Sequence, residues 1–136
     1  SLLSAHPRFT ETGSGAPVDH SLDPDAALRQ IGDIVLARRD FGTSYHLSVV
    51  VDDAAQQITH VVRGEDLFEA TFIHVLLQKL LGLETPVYHH HALVRDAQGK
   101  RLAKRDDARA IDKYRADGYS PQGIRELVGL GAQVSG

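Results

Sequence analysis

Strand-like and helix-like segments alternate between residues 58 and 94, and this alternation constrains the fold more than any other feature of the sequence. Residues 58–63 are rich in β-branched side chains, which favour strands, and residues 87–94 are predicted to form a second strand. Between them, residues 69–81 place apolar side chains three and four positions apart, and Gly82 follows as a helix stop. A strand, a helix and a second strand in this order predict an α/β fold with a parallel sheet and a crossover helix.

The flanking segments give further predictions. Residues 1–32 are rich in Ser, Gly, Pro and Asp without a clear period, which predicts an irregular N-terminal segment containing one short helical turn. Residues 44–55 are ambiguous, because three consecutive valines favour a strand whereas Ser44 is a good helix N-cap. Three other elements are predicted from local composition and turn residues: a strand over 33–38, a helix over 108–116 and a helix over 121–127 introduced by Ser120.

The composition narrows the classes of function. The chain has 136 residues, enough for one small domain, and its net charge is −3, so any contact with RNA would use local basic patches. It contains no cysteine, which excludes disulfides and thiolate metal sites and is compatible with the reducing cytoplasm, where we expect the protein to act. No apolar run approaches the length of a membrane span.

A short basic segment follows the predicted strand 87–94. Within residues 99–105, four of the seven side chains are Lys or Arg, although the chain as a whole is acidic. Cations at this density repel one another, so the segment is either a solvated turn or a binding loop for a polyanion. Because ligands of open α/β sheets bind beyond the carboxyl ends of the strands, this loop and residues 63–66, which end the other strand, are predicted to meet at one edge.

Residues 101–105, Arg-Leu-Ala-Lys-Arg, together with residues 44–53 and 58–66, resemble the glutamate-specific class I aminoacyl-tRNA synthetases. The basic loop is similar to that family's KMSKS signature, and the upstream segment to its glutamate pocket. The resemblance implies a helix over 44–55. It implies that 33–119 is the second half of a Rossmann-type catalytic domain, followed by a C-terminal helix and tail over 120–136.

The resemblance also implies a reaction: activation of L-glutamate by ATP with Mg²⁺, followed by transfer of the glutamyl group to tRNA. Such chemistry needs positioning and neutralisation of phosphate charge more than a protein nucleophile. The family's zinc site is expected in the N-terminal half of the domain, to which this chain does not correspond. A His-x-Gly-His motif, which holds ATP in that half, is absent from the sequence. The chain alone is therefore expected to be inactive, and a separate chain carrying that half is a further expected partner.

Individual site residues follow from the resemblance. Lys104 matches the lysine that meets the ATP phosphates and is the predicted catalytic residue. Arg63 and Tyr45 match the two residues that bind the substrate glutamate, although Arg63 could instead form a salt bridge and Tyr45 could belong to the core. The predicted ATP-binding loop consists of Arg101, Leu102, Ala103, Lys104 and Arg105.

No metal site is predicted. Three consecutive histidines occupy residues 89–91, but in a strand only His89 and His91 share a face, and no third ligand has a suitable spacing. Asp52 and Asp53 form an adjacent acidic pair, which is more typical of a solvated helix end than of a catalytic dyad.

Two subfamilies fit the sequence. The glutamyl-Q tRNA(Asp) synthetases end soon after the KMSKS region and load glutamate onto the queuosine base of tRNA(Asp). Residues 63–68, 88–91 and 115–121 resemble this subfamily more. The glutamyl-tRNA synthetases carry further anticodon-binding domains and remain an alternative, as does a non-catalytic half-domain. An unrelated nucleotide-binding domain would need a glycine-rich phosphate loop, which the sequence lacks.

Overall fold

A computed structural model describes residues 6–23, 25, 26, 29, 31–40, 42–95, 98, 99, 101 and 110–130. The chain forms two compact units, Ser1–Ala92 and Leu93–Gly136. The first unit contains the sheet, its crossover helix and the two predicted glutamate-binding residues, Tyr45 and Arg63.

The first unit is built on a sheet of four strands, β1 (Arg8–Glu11), β2 (Val18–Ser21), β5 (His60–Gly64) and β6 (Val87–His91). The strand order is β2-β1-β6-β5. Strands β5 and β6 are parallel, β6 and β1 are parallel, and β1 and β2 are antiparallel. The prediction of an α/β fold with a parallel sheet is confirmed.

Two predictions about this unit were wrong. Residues 1–32 were expected to be irregular, yet they contribute β1 and β2, because Phe9 and Glu11 share the inward face of β1 and are buried there. Residues 33–38 were expected to form a strand of the sheet. Only Ala37–Arg38 (β3) is a strand, and it forms a two-stranded hairpin with Gly42–Thr43 (β4), since this segment has no neighbour in the main sheet.

Helix α1 (Tyr45–Ala55) confirms the helical interpretation of the ambiguous valine-rich segment. Its three valines lie at different depths: Val50 is buried, whereas Val51 is exposed on the other side. Tertiary packing of one helical face therefore overrides the strand preference of valine.

Helix α2 (Phe68–Leu81) follows β5 through a short 3-10 turn, Glu65–Leu67, and leads into β6. It ends at Gly82, which has a positive φ of 68° and whose successor, Leu83, donates its N–H to the Gln78 carbonyl. The predicted boundaries of this helix are confirmed within one residue.

The core lies between α2 and the sheet. Phe9, Val75 and Tyr88 are buried, and Phe68 and Phe72 pack around them. The Phe9 ring centroid lies 5.2 Å from that of Phe72 and 5.4 Å from that of Tyr88, both edge-to-face. Burial of such rings and their edge-to-face pairing fix α2 on one face of the sheet.

The second unit contains helices α3 (Ile111–Ala116) and α4 (Pro121–Leu127). Ser120 caps α4, since its Oγ accepts a hydrogen bond from the Gly123 N–H at 3.0 Å. This helix and its cap confirm the sequence prediction. The expected start of α3 at residue 108 lies outside the described residues.

Candidate functional site

The site is built where β5 ends and α2 begins. Arg63 lies one residue before the end of β5 and is paired in register with His90 of the adjacent strand β6. Since both strands run in the same direction, both side chains lie near the carboxyl edge of the sheet, on the face that α2 covers. Arg63 therefore occupies the position at which a ligand of an open α/β sheet is expected.

The Arg63 guanidinium is held by four hydrogen bonds. Nε donates to His90 Nε2 at 3.1 Å, and Nη1 donates to His74 Nδ1 at 3.0 Å. Nη2 donates to the Thr71 hydroxyl at 2.5 Å and to the Leu67 carbonyl at 3.3 Å. The group also lies over the Tyr88 ring, 5.1 Å from its centroid.

These bonds change the expected role of Arg63. A guanidinium has five N–H groups, and four of them are committed to the protein, which leaves one N–H on Nη1. In this arrangement the guanidinium cannot bind a carboxylate in a bidentate manner. The alternative of a salt bridge with Glu65 or Asp66 is not found either, since neither carboxylate pairs with Arg63 in the described structure.

His90 is anchored in turn by Glu11. The carboxylate accepts hydrogen bonds from the His90 backbone N–H at 2.9 Å and the Gly13 N–H at 2.6 Å, and its other oxygen bonds His90 Nδ1. Because Arg63 donates to Nε2, the imidazole carries its proton on Nδ1 and donates it to Glu11. Burial opposes ionisation of Glu11, but the bonds from His90 and Gly13 outweigh it and lower the pKa of this carboxyl.

Gly13 allows the close approach of β1 to β6. A Cβ atom at this position would lie 2.1 Å from the His90 carbonyl oxygen and 2.8 Å from a Glu11 oxygen. Only glycine fits without movement of the backbone, so the turn after β1 is shaped around the Glu11–His90 pair.

His74 connects Arg63 to α1. Its Nδ1 accepts from Arg63, and its Nε2 lies 3.0 Å from Nδ1 of His46. His74 is 1% exposed, and burial, the Arg63 charge and His46 lower its pKa to about 4. The imidazole is consequently neutral at physiological pH, as an acceptor of an arginine N–H must be.

Tyr45 lies beside this histidine pair. Its ring centroid is 5.7 Å from that of His46 and 5.8 Å from that of His74. The side chain is 54% exposed, so the alternative of a core tyrosine is excluded. The structure thus brings Tyr45 and Arg63, which are 18 positions apart in the sequence, into contact with the same residue, His74.

The basic loop is described only in part. Leu102, Ala103, Lys104 and Arg105 lie outside the described residues, and Arg101 forms an isolated bridge with Arg95 in the second unit. The catalytic role of Lys104 and the ATP-binding role of residues 101–105 stay predictions.

The structure shows what surrounds the acidic pair Asp52–Asp53 and the three histidines at residues 89–91. Burial raises the pKa of Asp53, an effect that the Arg63 charge opposes and Asp52 reinforces. His89 bonds the Thr12 hydroxyl at 3.0 Å on the face opposite His90. Among the described residues, no group of three His, Cys, Asp or Glu side chains could hold a metal ion.

A cleft of about 720 Å³ opens at the same edge of the sheet, lined by Glu11, His90, His20, Glu65 and Glu69 among others. It borders the buried Glu11–His90 pair. Sequence reasoning did not identify this cleft, nor Thr71 and His74, which accept hydrogen bonds from Arg63, nor Glu11, which anchors His90, because these residues carry no motif. The only local signal was that Thr71, His74 and Gln78 share a helical spacing on α2.

Comparison with known families identifies the chain. The model of the class I tRNA synthetases (E and Q), catalytic domain, matches residues 21–136. The chain therefore belongs to this family of aminoacyl-tRNA synthetases, as its resemblance implied.

Individual relatives refine this result. A glutamyl-Q tRNA(Asp) synthetase of Rhodobacter capsulatus is 64% identical over 129 residues, which are 95% of this chain and 46% of the relative. A glutamate–tRNA ligase of Synechococcus sp. (strain CC9605) is 44% identical over 104 residues, 73% of this chain and 22% of the ligase. The chain thus spans less than half the length of these relatives.

A solved structure shares the fold. The crystal structure of a glutamate tRNA ligase from Elizabethkingia meningosepticum in complex with its amino acid superimposes with a TM-score of 0.65 at 25% identity. The match covers 91% of this chain and 27% of that one.

None of the described helices is long and apolar enough to cross a membrane.

Proposed function

We propose that the protein carrying this chain activates L-glutamate with ATP and transfers the glutamyl group to the queuosine base of tRNA(Asp). The observation that carries the proposal is that Arg63, near the carboxyl edge of the sheet, and Tyr45 both contact His74. A cation with one remaining N–H and an exposed phenol, both in contact with one imidazole, suit a ligand that has a carboxylate to be held.

In this proposal Arg63 contributes its positive charge to ligand binding more than a bidentate pair of hydrogen bonds. Its guanidinium is fixed by four bonds, so it meets an incoming carboxylate without losing further side-chain freedom. The Tyr45 hydroxyl supplies a second, more exposed contact. Together they bind the carboxylate that does not react, while the other is left to attack ATP.

ATP, bound with Mg²⁺, is the second substrate. Its phosphates would meet Lys104 and the other cations of residues 101–105, whose ammonium and guanidinium groups suit phosphate oxygens. The zinc site implied by the family belongs to the half of the catalytic domain that this chain does not match. The reducing cytoplasm is the proposed location.

The tRNA substrate distinguishes the two subfamilies. The 64% identity to a glutamyl-Q tRNA(Asp) synthetase favours the queuosine base of tRNA(Asp) as the acceptor. The 44% identity to a glutamate–tRNA ligase makes charging of tRNA(Glu) the second candidate.

The test uses the protein expressed from its complete reading frame. We expect pyrophosphate exchange into ATP that depends on L-glutamate and proceeds without tRNA, and labelling of queuosine-containing tRNA(Asp) with [¹⁴C]glutamate. tRNA(Asp) that lacks queuosine is the matched control and should stay unlabelled. Labelling of tRNA(Glu) instead would establish the second candidate, and absence of exchange with any amino acid would overturn the proposal.

A further inference from the structure

His46 has one ring nitrogen that the protein does not use. Its Nδ1 is bonded to His74 Nε2 at 3.0 Å, whereas its Nε2 has no hydrogen-bond partner among the described residues. Among the described residues, the buried side-chain polar atoms without a partner are Ser44 Oγ and Gln78 Oε1, so the unpartnered Nε2 of His46 is in contact with solvent. His46 therefore presents a polar ring atom outward beside Tyr45, whose ring lies 5.7 Å away.

The hydrogen bonds from Arg63 determine which form of His46 is present. An arginine donates only, so His74 Nδ1 carries a lone pair and the single proton of neutral His74 is on Nε2. That proton is donated to His46 Nδ1, which must accept it. The remaining proton of neutral His46 is then on Nε2, and the outward atom is a hydrogen-bond donor.

The start of α1 favours an anion at this place. His46 is the second residue of this 11-residue helix, and the N-cap side chain, Ser44, makes no capping hydrogen bond. No acidic residue lies in the first turn, so the positive end of the helix dipole is not neutralised within the helix. A donor N–H, an exposed phenol and an uncapped helix start thus belong to three consecutive residues, His46, Tyr45 and Ser44.

We infer that His46 donates its Nε2–H to a carboxylate of the ligand. Arg63 then has a second, indirect role in ligand binding, because its hydrogen bond to His74 fixes the tautomer in which His46 is a donor. The inference deepens the proposed function and rests on it, with L-glutamate as the ligand. His46 is a ligand-binding residue, and His74 is a positioning residue that transmits the orientation of the donor.

Paired substitutions of His46 separate the two ring nitrogens. In His46→Asn the amide oxygen can still accept from His74, but the outward donor is lost; in His46→Gln an amide N–H reaches the position of Nε2. We expect His46→Asn to raise the KM for glutamate about 10- to 150-fold, the value of one hydrogen bond to a charged group, with the KM for ATP unchanged. His46→Gln should recover most of this loss. His60→Asn, at an exposed histidine of β5, is the matched control and should behave as wild type.

The tautomers are measured directly by long-range ¹H–¹⁵N correlation on histidine-labelled full-length protein, since protonated and lone-pair imidazole nitrogens differ widely in shift. We expect the Nε2–H form for both His74 and His46 in the wild type, a mixture of forms for both in Arg63→Met, and a change at His46 Nε2 when glutamate is added. An Nδ1–H form of His46 would overturn the inference.

The outcomes separate this inference from the function on which it rests. Wild-type exchange with glutamate, combined with an unchanged KM in His46→Asn or equal losses in the Asn and Gln variants, would overturn the role of His46 alone. Absence of glutamate-dependent exchange in the wild type would overturn the proposed function itself, whichever tautomer is observed.

Discussion

Glu11 and His90 are joined by bonds to both the backbone N–H and the imidazole of the histidine, across 79 positions of sequence. Through His90 the same carboxylate orients Arg63, whose Nε donates to the far side of the imidazole. The candidate ligand-binding arginine is therefore positioned by a strand that precedes the region in which the sequence motifs lie.

Glu11→Gln should destabilise the first unit and loosen Arg63. The amide cannot accept from Gly13, the His90 N–H and His90 Nδ1 in the same way, and a buried polar group is left with an imperfect partner. We expect a loss of about 1–3 kcal/mol in the free energy of unfolding, measured by urea denaturation. Asp19→Asn is the control, since the Asp19 carboxylate accepts a solvent-exposed hydrogen bond from the Thr10 hydroxyl. Equal stability of Glu11→Gln and wild type at neutral pH would contradict the buried pair.

Acid should weaken the fold through His74. Its pKa is about 4 in the folded chain and about 6.5 when unfolded, so between these values the unfolded chain binds the extra proton. Stability is therefore unaffected at pH 7.5, falls as the pH drops through 6.5, and stops falling from this cause below about 4. The full difference corresponds to roughly 3 kcal/mol.

The measurement for His74 is urea unfolding at pH 7.5 and pH 4.5 for wild type and His74→Gln. The variant is expected to be less stable at pH 7.5, because it loses bonds to Arg63 and His46, but to lose less on acidification. His60→Gln should follow the wild-type pH dependence. Glu11 adds to the acid loss at lower pH, because its pKa is lowered in the fold and its contribution disappears as the carboxylate is protonated.

Arg63→Lys should raise the half-saturating concentration of glutamate and leave that of ATP nearly unchanged. A lysine keeps the charge, but one ammonium cannot reach His90, His74 and Thr71 together, so the cation is no longer fixed. Tyr45→Phe should act in the same direction by removing the phenol. Exchange kinetics with each substrate varied in turn provide the measurement. A rise confined to ATP would mean that the amino-acid pocket lies elsewhere.

Lys104→Ala should lower the turnover of adenylate formation more than it weakens glutamate binding. The lysine is expected to meet charge that develops on pyrophosphate as it leaves. One such contact is worth about 2–4 kcal/mol, which is a factor of very roughly 30 to 1000 in rate. Single-turnover kinetics at saturating glutamate measure this step. An unchanged rate would show that the loop is not catalytic.

The 136-residue chain by itself should not catalyse glutamate-dependent exchange. It matches less than half of its glutamyl-Q tRNA(Asp) synthetase relative and lacks a His-x-Gly-His motif for ATP. The protein from the complete reading frame, assayed at equal concentration, is the positive control. Robust exchange by the isolated chain would show that residues present here supply the whole ATP site.

The elements that local pattern determines were predicted well. Helix α2 and its stop at Gly82 depend on spacing within the helix, and Ser120 caps α4 through a neighbour three residues away. The short strands β1 and β2 were missed, since their polar composition matches a loop until β6 pairs with β1. The apolar run within residues 33–38 led to the opposite error: a strand was predicted, but Val35 and Leu36, which are 58% and 37% exposed, have no partner in the main sheet.

The roles of Arg63 and Tyr45 stay predictions that rest on resemblance. The commitment of four Arg63 N–H groups could not be predicted from the sequence, because their acceptors come from a different strand, a helix and the turn that precedes it. Hydrogen-bond geometry of this kind depends on the packing of α2 on the sheet, and no sequence spacing encodes it.

The separation of Glu11 and His90 along the chain also determines when the site can form during synthesis. A ribosome makes β1 long before β6, so Glu11 stays hydrated and Arg63 lacks one of its acceptors until residue 90 has emerged. Closing so long a loop costs entropy that only the complete sheet recovers. The pocket is thus a late product of folding, and a nascent chain arrested before β6 should have no affinity for the amino acid.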